Sequence, residues 1–171
     1  MSYDDREGFG RRHRDVAPEV LRQQVADQVG ILQEAAAAAG TTVAYLKPHG
    51  ALYHRVAVDE EQATAVLAGS GELPVLGLRG ALILELAAAI GRRTGHEGFP
   101  DRGHTPDGRM LAREEPGAVL TDSTAVSSQA IELAARVDSL CLHGDSPGAL
   151  EHAHAVRRRL EERGWTVARH F

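Results

Sequence analysis

The chain has 171 residues, of which 43% are hydrophobic and 25% charged, as in an ordinary globular domain. Its formal net charge of -5 gives no reason to expect nucleic-acid binding, and no apolar run approaches the roughly 20 residues of a membrane span. We therefore expect neither a nucleic-acid nor a membrane partner. The single cysteine, Cys141, excludes an intrachain disulfide, and we expect a buried, inert thiol in a cytoplasmic protein.

The first half of the chain is predicted to alternate helices with short apolar strands. Helical spacing of apolar residues predicts helices over 18–39, 59–67 and 80–92, and continuous apolar runs predict strands over 42–46 and 73–78, with a further strand at 94–98.

The second half is predicted to begin with a long loop over 99–115, which contains a turn at 105–108. A short strand at 119–120, a helix over 123–136, a strand over 138–143, a helix over 147–163 and a last strand over 165–168 follow. Strands that alternate with helices need crossover connections, so the pattern predicts an α/β fold with a mainly parallel sheet. We expect one domain over 1–171, and periodicity leaves open whether the sheet closes into a barrel.

Polar residues follow the predicted strand 42–46 without a break. Lys47 is the only lysine in the chain, and His49 comes two residues after it. The carboxyl ends of parallel strands are where α/β proteins place their sites, and an ammonium group there binds carboxylate or phosphoryl oxygens. An ion pair for Lys47 and a loop hydrogen bond for His49 would be the purely structural alternative.

A second polar group follows the predicted strand 138–143. His143 and Asp145 lie at its end, and Asp145 or Ser146 can cap the next helix, with Pro147 in the first turn. A capped helix N-terminus at a sheet edge is also a ready anion site. His143 is the stronger functional candidate, because no cap or turn calls for histidine there.

The long loop supplies a third group of candidates. Asp101 and Arg102 are candidate substrate-binding residues, since a guanidinium matches a carboxylate bidentately, whereas Asp107 and Gly108 fit a turn. The role of His104 is left open. The chain has neither a P-loop nor a Rossmann glycine fingerprint, so a nucleotide would bind by other means or on a partner.

Four stretches, taken together, resemble one known family. KPHGALYH at 47–54, DRGHTPDGRM at 101–110, EEPGAVLTD at 114–122 and LHGDSPGALEHAHAVRRRLEERG at 142–164 are similar to segments of the YcsF/LamB family, the A subunits of bacterial 5-oxoprolinase. GFGRR at 8–12 also resembles a family segment.

The resemblance implies ATP-dependent hydrolysis of 5-oxo-L-proline to L-glutamate, carried out with two partner subunits, B and C. It also implies a parallel (β/α) barrel of the glycoside hydrolase/deacetylase type with fewer than eight strands. Family members normally begin with a longer N-terminal segment that contains acidic and histidine motifs. We therefore expect a barrel that is incomplete at its N-terminus, with exposed sheet edges that favour pairing with another chain, including a homo-oligomer.

Lactam chemistry suggests roles for the residues that match the family. Lys47 would polarise the lactam oxygen, and His49 or His143 would move protons. Arg102 and Asp101 would bind the substrate together with Ser146, and Asp145 would orient His143 or a water.

Two alternatives to this hydrolase remain open. In a metal-dependent amidohydrolase or carbohydrate deacetylase, His49, His143 and Asp145 would hold a divalent ion. In a non-catalytic assembly fragment, the chain would bind the partner subunits without turnover.

Overall fold

The computed structural model describes residues 1–105, 110–111, 113, 115–146 and 148–171. Its helices are α1 (Pro18–Ala38), α2 (Gly50–Arg55), α3 (Glu60–Gly69), α4 (Leu82–Ala89), α5 (Ser123–Ala134) and α6 (Ala149–Glu162), and its strands are β1 (Val75–Leu78), β2 (Thr94–Gly98) and β3 (Ser139–Leu140). Most of the predicted turn at 105–108 lies outside the described residues. Pro147 also lies outside them. Within the described ranges, no helix is both long and apolar enough to cross a membrane.

Two compact units make up the chain. The first comprises Met1–His96 and Phe171, and the second comprises Glu97–His170. Strand β2 begins in the first unit and ends in the second. One domain over 1–171 stays a prediction.

The first unit is organised around α1 and α3. Pro18 fits the first turn of α1, and Gly40 takes a left-handed conformation (φ 68°) just beyond its end. Asp59 caps α3 by accepting a hydrogen bond from the Gln62 N–H at 3.0 Å. The buried core includes Leu21 and Val25 of α1, with the fully buried side chains of Leu52, Val66, Val75 and Ile83 in the same cluster.

The strands form a sheet in the order β1-β2-β3. Leu46 makes a parallel bridge to Val75 beside β1, and its N–H donates to the Pro74 carbonyl at 2.7 Å. Strands β2 and β3 are parallel, with Gly98 opposite Leu140. The α/β fold with a parallel sheet is therefore confirmed, whereas its closure into a barrel and the incomplete N-terminus stay predictions.

The second unit packs α5 against α6. Asp122 caps α5 by accepting from the Ala125 N–H at 2.9 Å. The core between the two helices consists of buried apolar side chains: Val126, Ala130, Val156 and Leu160. Burial of this apolar stripe stabilises both helices.

Several predicted strands differ from the structure in extent or existence. The strand predicted over 138–143 covers only Ser139–Leu140, and 119–120 forms no strand, only a single antiparallel bridge of Val119 to Arg102. The strand at 42–46 is reduced to the single bridge at Leu46, because no described residue offers a backbone hydrogen bond to Val43, Ala44 or Tyr45. Residues 165–168 form no strand, and Trp165 and Val167 are exposed rather than covered by a sheet neighbour.

Three local predictions also need correction. Helix α2 begins directly after His49, where the sequence predicts only a loop. Helix α6 has no side-chain cap from Asp145 or Ser146, because left-handed Gly148 (φ 76°) occupies the cap position. Cys141 is half-buried rather than fully buried.

Candidate active site

In the first unit, Lys47 and His49 lie in the segment that joins the Leu46 bridge to α2. Lys47 is half-buried, His49 is exposed, and Pro48 between them is fully buried. The Met1 nitrogen donates to the Lys47 carbonyl at 3.1 Å, and the His49 N–H donates to the Met1 carbonyl at 2.8 Å. The backbone on both sides of Pro48 is therefore held in place.

The loop at 8–12 packs against this segment. The Ala51 N–H donates to the Gly10 carbonyl at 2.9 Å, and Gly50 has a φ of 61°. A Cβ at Gly50 would collide with that carbonyl, so this close approach needs glycine. Phe9 lies on the loop, 77% exposed and with a φ of 56° that non-glycine residues rarely adopt. Two of the segments that carry the family resemblance are thus in contact.

A cavity of about 820 Å³, which we call the α1 cavity, opens beside α1 in the first unit. Its walls are mostly apolar, and Lys47 and His49 add polar groups to its lining. Ile31 and Leu32 of α1 border it and are 69% and 57% exposed. A mostly apolar cavity with a few polar groups is typical of small-molecule sites.

In the second unit, Asp101 and His143 form a hydrogen-bonded pair. The Asp101 Oδ2 accepts from the His143 backbone N–H at 2.7 Å and lies 2.9 Å from the ring Nδ1. Asp101 is 1% exposed, whereas the His143 side chain is 26% exposed. Both residues lie three positions beyond the paired residues Gly98 and Leu140, so the parallel register brings them side by side.

The environment keeps the Asp101 carboxylate ionised. Burial alone would raise the pKa of Asp101, but hydrogen bonds from the His143 ring and backbone outweigh it and hold the pKa below its ordinary value of 3.8. The Phe99 ring stacks on the imidazole, with 5.7 Å between ring centroids and 24° between the planes. One face of the His143 ring is therefore covered.

Two side chains, one from α5 and one from the loop itself, fix the position of residues 99–102. The Gln129 amide on α5 donates to the carbonyls of Phe99, Pro100 and Arg102 at 3.3, 3.0 and 2.7 Å. The Arg102 guanidinium is nearly buried and donates at 2.8 Å to the carbonyls of Ala118 and Leu111. These contacts give Arg102 a structural task, while its predicted contact with substrate stays a prediction.

Asp145 and Ser146 lie beyond His143 on the same segment. Asp145 is exposed, and its carboxylate lies 3.3 Å from the Arg113 guanidinium. Asp145 is predicted to orient His143 or a water, and this stays a prediction; the contact described at the Nδ1 of His143 is with Asp101. Ser146 is nearly buried and its carbonyl accepts from the Ala149 N–H at 3.2 Å.

The predicted site residues thus fall into two places. Lys47 and His49 belong to the first unit, and Asp101, Arg102, His143, Asp145 and Ser146 belong to the second. Among the described residues, no three His, Cys, Asp or Glu side chains are grouped so that they could hold a metal ion. Metal binding through His49 and His143 stays a prediction.

Comparison with known sequences decides the family. The sequence model described as the LamB/YcsF family matches residues 1–170. The chain belongs to the LamB/YcsF family. The resemblance inferred from the motifs is therefore confirmed.

Relatives within the LamB/YcsF family are named as the A subunit of 5-oxoprolinase. A protein of that name from Streptomyces avermitilis is 48% identical over 98% of this chain and 74% of its own length. One from Mycobacterium leprae is 43% identical over 96% of this chain and 72% of its own length. The crystal structure of a lactam utilization protein from Thermus thermophilus superposes with a TM-score of 0.87 at 33% identity, over 97% of this chain and 73% of that one.

Sequence reasoning missed three residues that shape the second-unit site. Phe99 covers the His143 ring, Gln129 holds the Asp101 loop, and Arg113 pairs with Asp145. The position of Phe99, next to the end of β2, was the only available signal. Gln129 and Arg113 lie 28 and 32 residues from Asp101 and Asp145 in sequence, which periodicity cannot reveal.

Proposed function

We propose that this chain is the A subunit of a 5-oxoprolinase and takes part in opening 5-oxo-L-proline to L-glutamate. The observation that carries the proposal is its similarity, over nearly its whole length, to relatives that bear this name. The lactam utilization protein with the same fold supports a cyclic amide as the substrate class. The name of these relatives implies partner chains, which we propose are the B and C subunits.

The reaction needs an activated carbonyl. A five-membered lactam is an unactivated amide, so water can open it only when the carbonyl oxygen is strongly polarised or phosphorylated. ATP would supply that phosphoryl group. The ATP would bind either on a partner subunit or on this chain, at a site without a standard nucleotide-binding motif.

Transfer of the phosphoryl group to the lactam oxygen would release ADP. Water then adds its oxygen to the carbonyl carbon, the C–N bond breaks, and the ring nitrogen gains a proton to become the amino group of glutamate. A second water would release the phosphoryl group from the new carboxyl as inorganic phosphate.

Lys47 is the proposed electrophilic group. Lys47 is one of the residues that line the mostly apolar α1 cavity, and an ammonium directed into it would be less screened than in water. A donor aimed at the developing oxyanion contributes about 3–4 kcal/mol to lowering such a barrier. His49 lines the same cavity and remains a candidate proton carrier.

His143 is the better supported proton carrier. Its Nδ1 is bound to a buried carboxylate, an arrangement that suits general acid–base chemistry at the other ring nitrogen. Asp145 would orient a water, and Arg102 and Ser146 remain candidates for binding the substrate carboxylate.

Glutamate release tests the proposal. The chain is mixed with B and C partners, 5-oxoproline and ATP, and the Streptomyces avermitilis relative in the same mixture serves as the positive control. We expect this chain to release glutamate and to release none when a partner is omitted. If the relative is active and this chain binds the partners without turnover, the chain is a non-catalytic assembly component and the proposal is wrong.

A further inference from the structure

We infer that Asp101 is a positioning residue that fixes the His143 ring in one tautomer, with the proton on Nδ1 and the lone pair on Nε2. The catalytic consequence rests on the function proposed above, whereas the state of the ring does not. The inference gives a task to a buried carboxylate that the lactam chemistry alone would assign to substrate binding.

The hydrogen-bond geometry determines which nitrogen carries the proton. The Nδ1 atom lies 2.9 Å from Oδ2 and 3.1 Å from Oδ1 of Asp101. An ionised carboxylate has only acceptors, so Nδ1 must donate. In the neutral imidazole the other nitrogen is then unprotonated and can accept a proton.

A second contact fixes the direction of the ring. The same Oδ2 accepts from the His143 backbone N–H at 2.7 Å, so one carboxylate holds both the backbone and the side chain of this residue. The Phe99 ring, stacked at 5.7 Å, restricts rotation of the imidazole. Together these contacts leave the Nε2 edge as the reactive part of a 26% exposed side chain.

Asp101 is itself held from several sides before any ligand arrives. Its carbonyl accepts from the Leu120 N–H at 3.0 Å, and the Gln129 amide binds the carbonyls of the residues before and after it. A positioning carboxylate needs such support, because small displacements of a proton carrier reduce its rate strongly.

Ring ¹⁵N NMR tests the tautomer directly. Histidine-labelled protein is studied at about pH 8.5, two units above the ordinary histidine pKa, and the His143 signals are assigned by their loss in His143→Gln. We expect a protonated Nδ1 and an unprotonated Nε2. A parent spectrum with the proton on Nε2 overturns the inference without any variant of Asp101.

Asp101→Ala tests the role of Asp101. It removes the carboxylate acceptor beside Nδ1, so in this variant we expect the tautomer protonated on Nε2 to become populated. Glu132→Gln, an exposed charge-neutralising change on α5, is the matched control and should leave the ring signals unchanged. The inference is overturned if the His143 ring signals of the Asp101 variant equal those of the parent. It is also overturned if the control variant changes these signals by the same amount.

Kinetics add a second readout. With partners and ATP, we expect Asp101→Ala to lower kcat about 100-fold and to leave KM nearly unchanged, because proton transfer is lost and binding is retained. If kcat/KM falls by the same factor only because KM rises, Asp101 acts in substrate binding and the positioning role is overturned. If the parent releases no glutamate, the proposed function fails, while the NMR result still decides the tautomer.

Discussion

Lys47 is chemically distinct from every other basic side chain that could act on a lactam oxygen. It is the only lysine in a chain that otherwise uses arginine, and it lines the α1 cavity together with His49. A compact ammonium can approach one oxygen closely, whereas a planar guanidinium needs a wider, forked partner. If the group that Lys47 contacts is the oxygen of a lactam, lysine therefore suits this position better than arginine.

Lys47→Arg tests this reason while it keeps the charge. We expect turnover with partners to fall by about 100-fold or more, and the melting temperature to change little, because the misplaced guanidinium no longer aligns with the oxyanion. Glutamate release and thermal unfolding measure the two effects. Arg157→Lys, at an exposed ion pair with Glu161 on α6, is the matched reverse swap and should leave both unchanged. If Lys47→Arg turns over as fast as the parent, Lys47 contributes only its charge and the proposed contact with the lactam oxygen is wrong.

The sequence identifies most members of the second-unit site but not how they pair. Asp101 and His143 are both candidates from the sequence, yet their contact depends on β2 lying beside β3 with Gly98 opposite Leu140. Strand order and register are non-local information, which periodicity along one chain does not contain. For the same reason the sequence does not reveal that Asp101 lies at the His143 ring.

At the scale of elements, the helices with strong local signals are predicted well. Helix α1 is expected over 18–39 and runs Pro18–Ala38, because proline and glycine mark its two ends. Strand β2 is predicted over its full extent. The strand predicted at 165–168 fails because an apolar run forms a strand only where another strand pairs with it. The same requirement reduces 42–46 to one bridge.

Two glycines in helices test the packing of α1 against α3. A Cβ at Gly69 would collide with the Arg22 carbonyl and press on Val25, whereas a Cβ at Gly30 of α1 meets nothing within 4 Å. We expect Gly69→Ala to lower the free energy of unfolding by about 1–3 kcal/mol, through overpacking. Gly30→Ala should raise it by about 0.5–1 kcal/mol, because alanine favours the helix. Chemical denaturation measures both, and equal signs for the two variants would contradict the helix contact.

For the whole molecule, titratable groups predict that stability falls in two steps as the pH is lowered. Burial lowers the pKa of His104 below 6.5, and the Gln62 N–H lowers that of Asp59 below 3.8, as the His143 contacts do for Asp101. Each of these groups binds protons less readily in the folded chain than in the unfolded one. Burial also lowers the pKa of the Met1 amino group below 8.0, so stability is complete just above pH 8.0. It decreases in a first step as Met1 and then His104 bind protons, and again below 3.8.

Urea denaturation at about pH 8, 5 and 3 measures these steps. We expect the midpoint to fall at each change. His104→Gln should make the first decrease smaller, with the contribution of the Met1 amino group remaining, and should leave the second decrease in place. His154→Gln, at an exposed position on α6, should leave both decreases in place. A midpoint that stays constant from about pH 8 to 5 in the parent would contradict the burial of a neutral His104.

The hydrogen bonds from Gln129 to the 99–102 loop have a consequence for protein engineering. Helix α5 carries this glutamine, so any change that shifts or rotates α5 also shifts the carboxylate that orients His143. A mutant library confined to the loops would leave this adjustment unexplored. Selection for altered catalysis should therefore also sample the face of α5 that bears Gln129, where conservative repacking offers fine control of the site.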